Sequence, residues 1–289
     1  MYHITEYAKN ADCIFVSGRN IKIHSIYKNT VNFITNNLIF SFQNENSIKT
    51  PVSFILFKHG VEELGFYVGE ELYIRDKIFY NERIMISAAN ARLWEPGVHK
   101  TSRGFEELLL QKEIAWEVIK KGEKPRLNPL EKAQYDALIK HIDKIRLAFE
   151  RNEFIKMAQI SSDLIGLGTG LTPSGDDFNV GFLSALYHNL NVPVASEILQ
   201  CYKAELLKKL KETNDISATF LKYACEGKFS EVIHGFYDEG GRKIKQIAAQ
   251  SILKLGHSSG RDLLIGIYVA LELLVNCVQG GNCISYGYL

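Results

Sequence analysis

Two short segments hold most of the residues able to bind or move charge. In the first, Gly166, Gly168, Gly170 and Gly175 are interleaved with the hydroxyls of Thr169, Thr172 and Ser174 and lead into two carboxylates, Asp176 and Asp177. In the second, Gly256, His257, Ser258, Ser259 and Gly260 lead into Arg261 and Asp262. A glycine-rich turn running into a helix start offers backbone N–H groups and the positive end of the helix dipole, which suits phosphate or carboxylate. One glycine suffices to end a helix, and the further glycines of the first loop cost backbone entropy that a turn does not require. Gly168, Thr169 and Gly170 are therefore the candidate anion cradle. Thr172, Ser174, Gly175, Ser258, Ser259, Gly260 and Asp262 are further substrate contacts, Asp176 or Asp177 would hold a metal or a proton, and His257 would orient substrate.

The segments beginning at Thr172 and His257 also align without gaps. Ser174 matches Ser259, Gly175 matches Gly260, Asp177 matches Asp262, Gly181 matches Gly266, and Ala185-Leu186 matches Ala270-Leu271. An amphipathic run precedes each, so the pattern suggests one duplicated helix–Gly turn–helix unit. A purely structural account makes Ser174/Asp177 and Ser259/Asp262 capping boxes, with each Ser as the N-cap and each Asp three residues on. Small residues at Gly181/Ala185 and Gly266/Ala270 would let the two helices approach closely, bringing the two loops together. Asp176 has no acidic counterpart, since Arg261 stands in its place. We therefore expect it to serve a ligand or metal rather than the shared scaffold.

Three familiar motifs nearly match. Gly166-x-Gly168-x-Gly170 lacks the third glycine and the βαβ setting of a dinucleotide fingerprint. Gly170 to Gly175 has phosphate-loop spacing, but Asp176-Asp177 follow where Lys-Ser/Thr is needed. If phosphate binds there, magnesium on Asp176 and Asp177 is the candidate cofactor to bridge the repulsion. Gly256-His-Ser-Ser-Gly260 has nucleophile-elbow spacing, yet it follows a helical run, and His257 is the last histidine in the chain.

The elements that must position these loops divide the chain in two. Up to residue 102, short runs rich in Ile, Val, Phe and Tyr predict strands: Cys13–Ser17, Ile21–Tyr27, Val31–Thr35, Leu38–Phe42, Val52–Phe57, Leu64–Val68 and Arg83–Ser87. Asn36-Asn37 suits a two-residue hairpin turn. This is an antiparallel barrel or sandwich. From 103 to 289 the period changes to that of helices, predicted at Phe105–Lys121, Leu130–Arg151, Glu153–Leu164, Asp177–Asn189, Val194–Lys211, Ser217–Cys225, Ser230–Tyr237, Arg242–Leu255 and Asp262–Cys277. The class is α+β, with a β-rich domain followed by an all-helical one.

Composition excludes several functions. A net charge of +1 supplies no field for nucleic acid or an anionic membrane. Five cysteines without C-x-x-C spacing support neither a disulfide framework nor a zinc site, so reduced thiols are expected. The first ten residues lack the apolar core of a signal peptide, and the apolar stretch Leu263–Leu271 is short for a membrane span. A cytoplasmic protein is expected.

The stretch from Gly166 to Phe178, together with Gly256 to Asp262, resembles the AllH-like family, which includes a subunit of bacterial oxamate carbamoyltransferase in allantoin breakdown. The likeness extends to Val31-Asn32 and to Trp94-Glu-Pro96. Ser258 stands where Thr is expected, a departure that keeps the hydroxyl. The resemblance implies phosphorolysis of oxalurate to oxamate and carbamoyl phosphate within a complex with other subunits. It implies small anionic substrates: phosphate, carbamoyl phosphate or a carboxylate. The alternative is a non-catalytic structural or regulatory subunit binding an anionic metabolite or a partner protein. The missing nucleophile, and Arg261 as the only cation in either loop, favour that alternative.

Overall fold

The structure, a computed structural model, describes residues 1–16, 19–98, 104–122 and 128–280. It divides into two compact units. One comprises Met1–Gly97 with Lys228–Glu231; the other comprises Val98–Gly227 with Val232–Leu289.

The first unit is a β-barrel built from β1 (Tyr2–Ala8), β2 (Asn20–Tyr27), β3 (Thr30–Thr35), β4 (Leu38–Gln43), β5 (Ser53–Leu56), β6 (Glu71–Arg75), β7 (Ile78–Tyr80) and β8 (Met85–Ser87), with β9 (Arg92–Trp94) beside them. The order β5-β4-β3-β2-β6-β7-β8-β1 closes through pairing of β1 with β5. β9 continues the line of β8 along β1, both parallel to it. The sheet is mixed rather than wholly antiparallel as expected, because β4–β5 and β1–β8 are parallel pairs. Asn36 and Asn37 have φ of 50° and 57°, the left-handed pair that a two-residue hairpin requires. Asp76 and Lys77, at 50° and 60°, make the same kind of turn between β6 and β7. Phe33, Phe40, Phe42, Phe54 and Phe79 fill the interior at 1% exposure or less.

Sequence reading failed where the strands are short or polar. Cys13–Ile14, predicted as the start of a strand, lies in a 3₁₀ turn over Lys9–Ile14, and residue 17 is outside the described residues. Leu64–Val68 forms no strand: Leu64 ends a 3₁₀ turn and the strand comes later, at β6. β1 carries His3, Thr5 and Glu6, which masked its pattern.

The second unit is helical: α1 (Phe105–Lys121), α2 (Pro129–Glu150), α3 (Phe154–Ser162), α4 (Ser174–His188), α5 (Pro193–Lys209), α6 (Asp215–Cys225), α7 (Glu231–Tyr237), α8 (Arg242–Leu253) and α9 (Ser259–Gln279). Its centre is the pair α4 and α9, with α1 and α8 against α9, α6 and α5 against α4, and α3 against α5. Both central helices are buried on nearly every face, as helices enclosed by others are. α9 is long and apolar enough to cross a membrane, but 72% of its most apolar window is buried inside the protein. Cys13, Cys201 and Cys225 are free thiols, whereas Cys277 is disulfide-bonded and departs from the expected reduced state.

Candidate functional site

The starts of α4 and α9 meet because two glycines let their backbones touch. A Cβ on Gly181 would lie 2.0 Å from the Leu263 carbonyl oxygen, and one on Gly266 would lie 2.0 Å from the Phe178 carbonyl oxygen. Each helix thus receives the other's peptide group at the matching position. Each start is also seated on the preceding helix or the turn after it: a Cβ on Gly175 would sit 1.9 Å from Leu164 O, and one on Gly260 would sit 2.0 Å from Ile252 O. The Gly175 N–H donates to Leu167 O at 2.8 Å and the Gly260 N–H to Leu255 O at 2.9 Å. These two N–H groups, expected to contact substrate, are therefore spent on the scaffold.

The expected capping boxes do not form. Ser174 and Ser259 are the first helical residues, and neither Pro173 nor Ser258, the residues before them, makes a side-chain cap bond. The carboxyls instead turn across the helix pair. The Thr172 hydroxyl donates to Asp177 Oδ2 at 3.0 Å and pairs with the Ser259 hydroxyl at 2.8 Å. Burial pushes the Asp177 carboxyl up to about 8, opposed by the hydroxyls of Ser259 and Thr172 and assisted by the charges of Asp262 and Asp176. Burial likewise pushes Asp262 up to about 6, opposed by the Ser174 hydroxyl and the Arg261 charge. Each helix therefore lends a serine to the other's aspartate. Asp262 is 3% exposed, and its Oδ2 has no hydrogen-bond partner.

Asp176 does something else. Its Oδ1 accepts from the Gly166 N–H at 2.8 Å, and its Oδ2 accepts from the Thr213 and Ser217 hydroxyls at 2.5 and 2.6 Å. Burial raises this carboxyl, and those three donors pull it back. It clamps the glycine loop to the start of α6, where Asn214 caps the helix through Ile216 N and Ser217 N and also donates to Leu171 O at 3.0 Å. Gly166 allows this close contact, with φ of +78° and a Cβ position 2.5 Å from Glu212 O. Both oxygens of Asp176, expected to serve a ligand or metal, accept hydrogen bonds from the protein. Among the described residues no group of three or more His, Cys, Asp or Glu side chains is placed to hold a metal.

The first loop is the longer. From Leu164 to Gly175 it takes eleven steps, against eight from Ile252 to Gly260, the residues that play the same packing role. The additional length falls at the exposed tip with Thr169, Gly170 and Leu171. Gly168 and Gly170 have φ of +130° and +98°, and among the described residues the N–H groups of Gly168, Thr169 and Gly170 donate to no protein acceptor. His257 is exposed on the shorter turn, beside Ser258. Arg261 donates to Ile119 O at 3.1 Å, in the last turn of α1, so the one cation of the two loops serves a helix end.

The structure thus gathers Thr172, Ser174, Asp177, Ser259 and Asp262, and leaves Thr169, Gly170 and His257 at the exposed rim. Sequence reasoning missed Thr213, Asn214 and Ser217. The available signal was Asn214, a good N-cap just ahead of a periodic run. It also missed the base of the site, where Asn179 Oδ1 accepts from Ser161 at 2.7 Å and from Tyr202 at 3.0 Å, and Ser161 and Tyr202 bond each other.

Residues 164–271 match the family described as oxamate carbamoyltransferase subunit AllH. The match runs from the helical turn before the first loop to the middle of α9. No solved structure matches the chain.

Proposed function

We propose that the chain is a subunit of a carbamoyl-transferring complex in which oxalurate and phosphate give oxamate and carbamoyl phosphate. The family match carries this reading, because its limits enclose both loops, α4 and the first part of α9. In the reaction the bond between the carbamoyl carbon and the oxamate nitrogen breaks, a carbon–oxygen bond to phosphate forms, and the departing nitrogen takes up a proton. The free N–H groups of Gly168, Thr169 and Gly170 suit an anionic oxygen, as donors aimed at developing charge do in acyl transfer. Asp177, pushed up to about 8, carries a proton at neutral pH and suits delivery to the departing nitrogen. Ser258 and His257 stand at the rim, where they would contact the outer part of a substrate.

We also infer that the two loop-and-helix segments descend from one duplicated unit. The matched glycine contacts at Gly181 and Gly266, and at Gly175 and Gly260, support this. In this view the three extra steps of the first loop are an elaboration for binding.

A non-catalytic role remains the second reading, favoured by one observation: Arg261 is committed to the Ile119 carbonyl and leaves neither loop with a cation for phosphate. The partner subunits implied by the family name would then supply it. The test is an assay of carbamoyl phosphate formation by the chain alone and with its partner subunits. Deleting Gly168, Thr169 and Gly170 gives the first loop the length of the second. We expect the complex to lose activity at least a hundredfold with the shortened loop while the chain still folds. Full activity with the shortened loop would overturn the catalytic reading.

A further inference from the structure

The orphaned oxygen of Asp262 asks for a donor. At 97% buried the residue is out of water, yet its Oδ2 has no partner among the described residues, while its neighbours are fully committed. Thr172 and Ser259 bond each other and serve Asp177, and Arg261 reaches away to Ile119 O. An acceptor left in this state is costly, more so when charged. Such an orphan calls for an explanation, and a partner from outside the chain is one. The oxygen lies where the starts of α4 and α9 converge, next to the Ser174 hydroxyl and within electrostatic reach of Asp177.

We propose that Asp262 Oδ2 accepts a hydrogen bond from the –NH₂ of an amide-bearing substrate, making this carboxylate the group that distinguishes a carbamoyl or oxamoyl ligand from an isosteric acyl anion. The inference rests on the carbamoyl-transfer reading and adds to it a division of labour. The free N–H groups of the Gly168–Gly170 segment take the anionic end, and the α9 carboxylate takes the amide end. The ligand class is a small anion carrying a primary amide. The same oxygens that would repel a bare anion become attractive when an N–H stands between. That resolves how two aspartates can line a site meant for negatively charged molecules. Because solvent does not reach Oδ2, ligand entry requires local opening of the site.

The test compares ligands that differ only by –NH₂ against –CH₃: oxamate with pyruvate, and carbamoyl phosphate with acetyl phosphate. Each is titrated calorimetrically into the full chain assembled with its partner subunits. We expect the amide member of each pair to bind at least about tenfold more tightly, the size of one hydrogen bond to a charged group. We expect Asp262→Asn, which keeps the shape but presents a mixed donor and acceptor, to bring that ratio close to one while methyl-ligand binding stays within about twofold. Equal binding of amide and methyl ligands by the wild-type complex overturns the proposal and leaves the carbamoyl-transfer reading standing. Binding of none of the four ligands overturns both. A ratio that persists in Asp262→Asn assigns amide recognition elsewhere and also overturns the proposal. If that variant fails to fold, the wild-type ratio together with Ser174→Ala decides. Loss of the serine beside Asp262 should shift amide binding by at least threefold and methyl binding by less, and equal shifts count against us.

Discussion

The two loops start their helices by the same packing and differ in what the packing supports. Around α9 the turn is short, its only cation binds the end of α1, and its carboxylate looks across to α4. Around α4 the turn is longer, its tip is exposed, and it carries one more carboxylate than its counterpart. That additional group, Asp176, clamps the loop to α6 through Gly166, Thr213 and Ser217. The contrast separates two needs. Placing two helix starts side by side takes glycines and backbone contact; holding an extended loop over them takes a dedicated buried anchor.

The strongest way to break this comparison is at the shared packing. Gly266→Ala sets a methyl 2.0 Å from Phe178 O, where only backbone can move. We expect a loss of about 3 kcal/mol in urea unfolding, at the upper end of ordinary overpacking. Gly181→Ala should behave alike, and a marked difference between the two would undo the matched-contact account.

A smaller effect is expected at the anchor. Asp176→Ala strands two hydroxyls and one N–H, and we expect a loss of about 2 kcal/mol in the same assay. Amide exchange at the Gly166–Leu171 N–H groups should also accelerate. An unchanged exchange pattern would mean that the clamp does not hold the loop.

Asp177 sharpens the comparison through pH. Its carboxyl is raised in the folded chain from 3.8 to about 8, so the folded state holds the proton more tightly than the unfolded state. Its contribution is therefore most favourable at low pH and is lost as pH rises from about 4 towards 8, flattening above that. Asp262, raised to about 6, adds to the same slope over the lower part of that window. Melts of the wild type and Asp177→Asn between pH 5 and pH 8.5 should show the variant gaining relative stability as pH rises. A constant difference across the range would deny the shift.

The smallest effect is expected at the rim. His257→Ala should leave the melting temperature within about 1 °C, since exposed substitutions seldom exceed 0.5 kcal/mol. Any change should appear in KM for the assembled complex.

Much of this arrangement was legible in the sequence, because it depends on residue types that few other jobs require. Glycines four residues into two apolar helices foretold a close crossing, and the crossing occurs at Gly181 and Gly266. Asn36-Asn37 foretold its hairpin. The roles of the carboxylates were not legible. Asp176 and Asp177 are adjacent, yet one reaches Ser217 on α6 and the other Ser259 on α9 as well as Thr172, and no local spacing encodes which way each turns. The capping-box reading failed for the same reason: each serine has a local use and a cross-helix use of similar strength, and tertiary packing decides between them. In the barrel, β1, β6, β7 and β9 went unseen: β7 and β9 are three residues each, β1 and β6 mix polar or charged side chains into their pattern, and β1 and β9 gain stability from partners far along the chain.

The glycine crossing also bears on how such a site can change. Gly181 lies one turn beyond Asp177, and Gly266 one turn beyond Asp262, so the gap between the two carboxyls is measured off a contact of peptide groups rather than of side chains. Peptide groups are the same in every sequence. The gap is thus a gauge set by backbone, while the hydroxyls of Thr172, Ser174, Ser258 and Ser259 set what surrounds the carboxyls. An engineer seeking a new ligand should vary those hydroxyls and the length of the exposed tip, and leave the gauge alone.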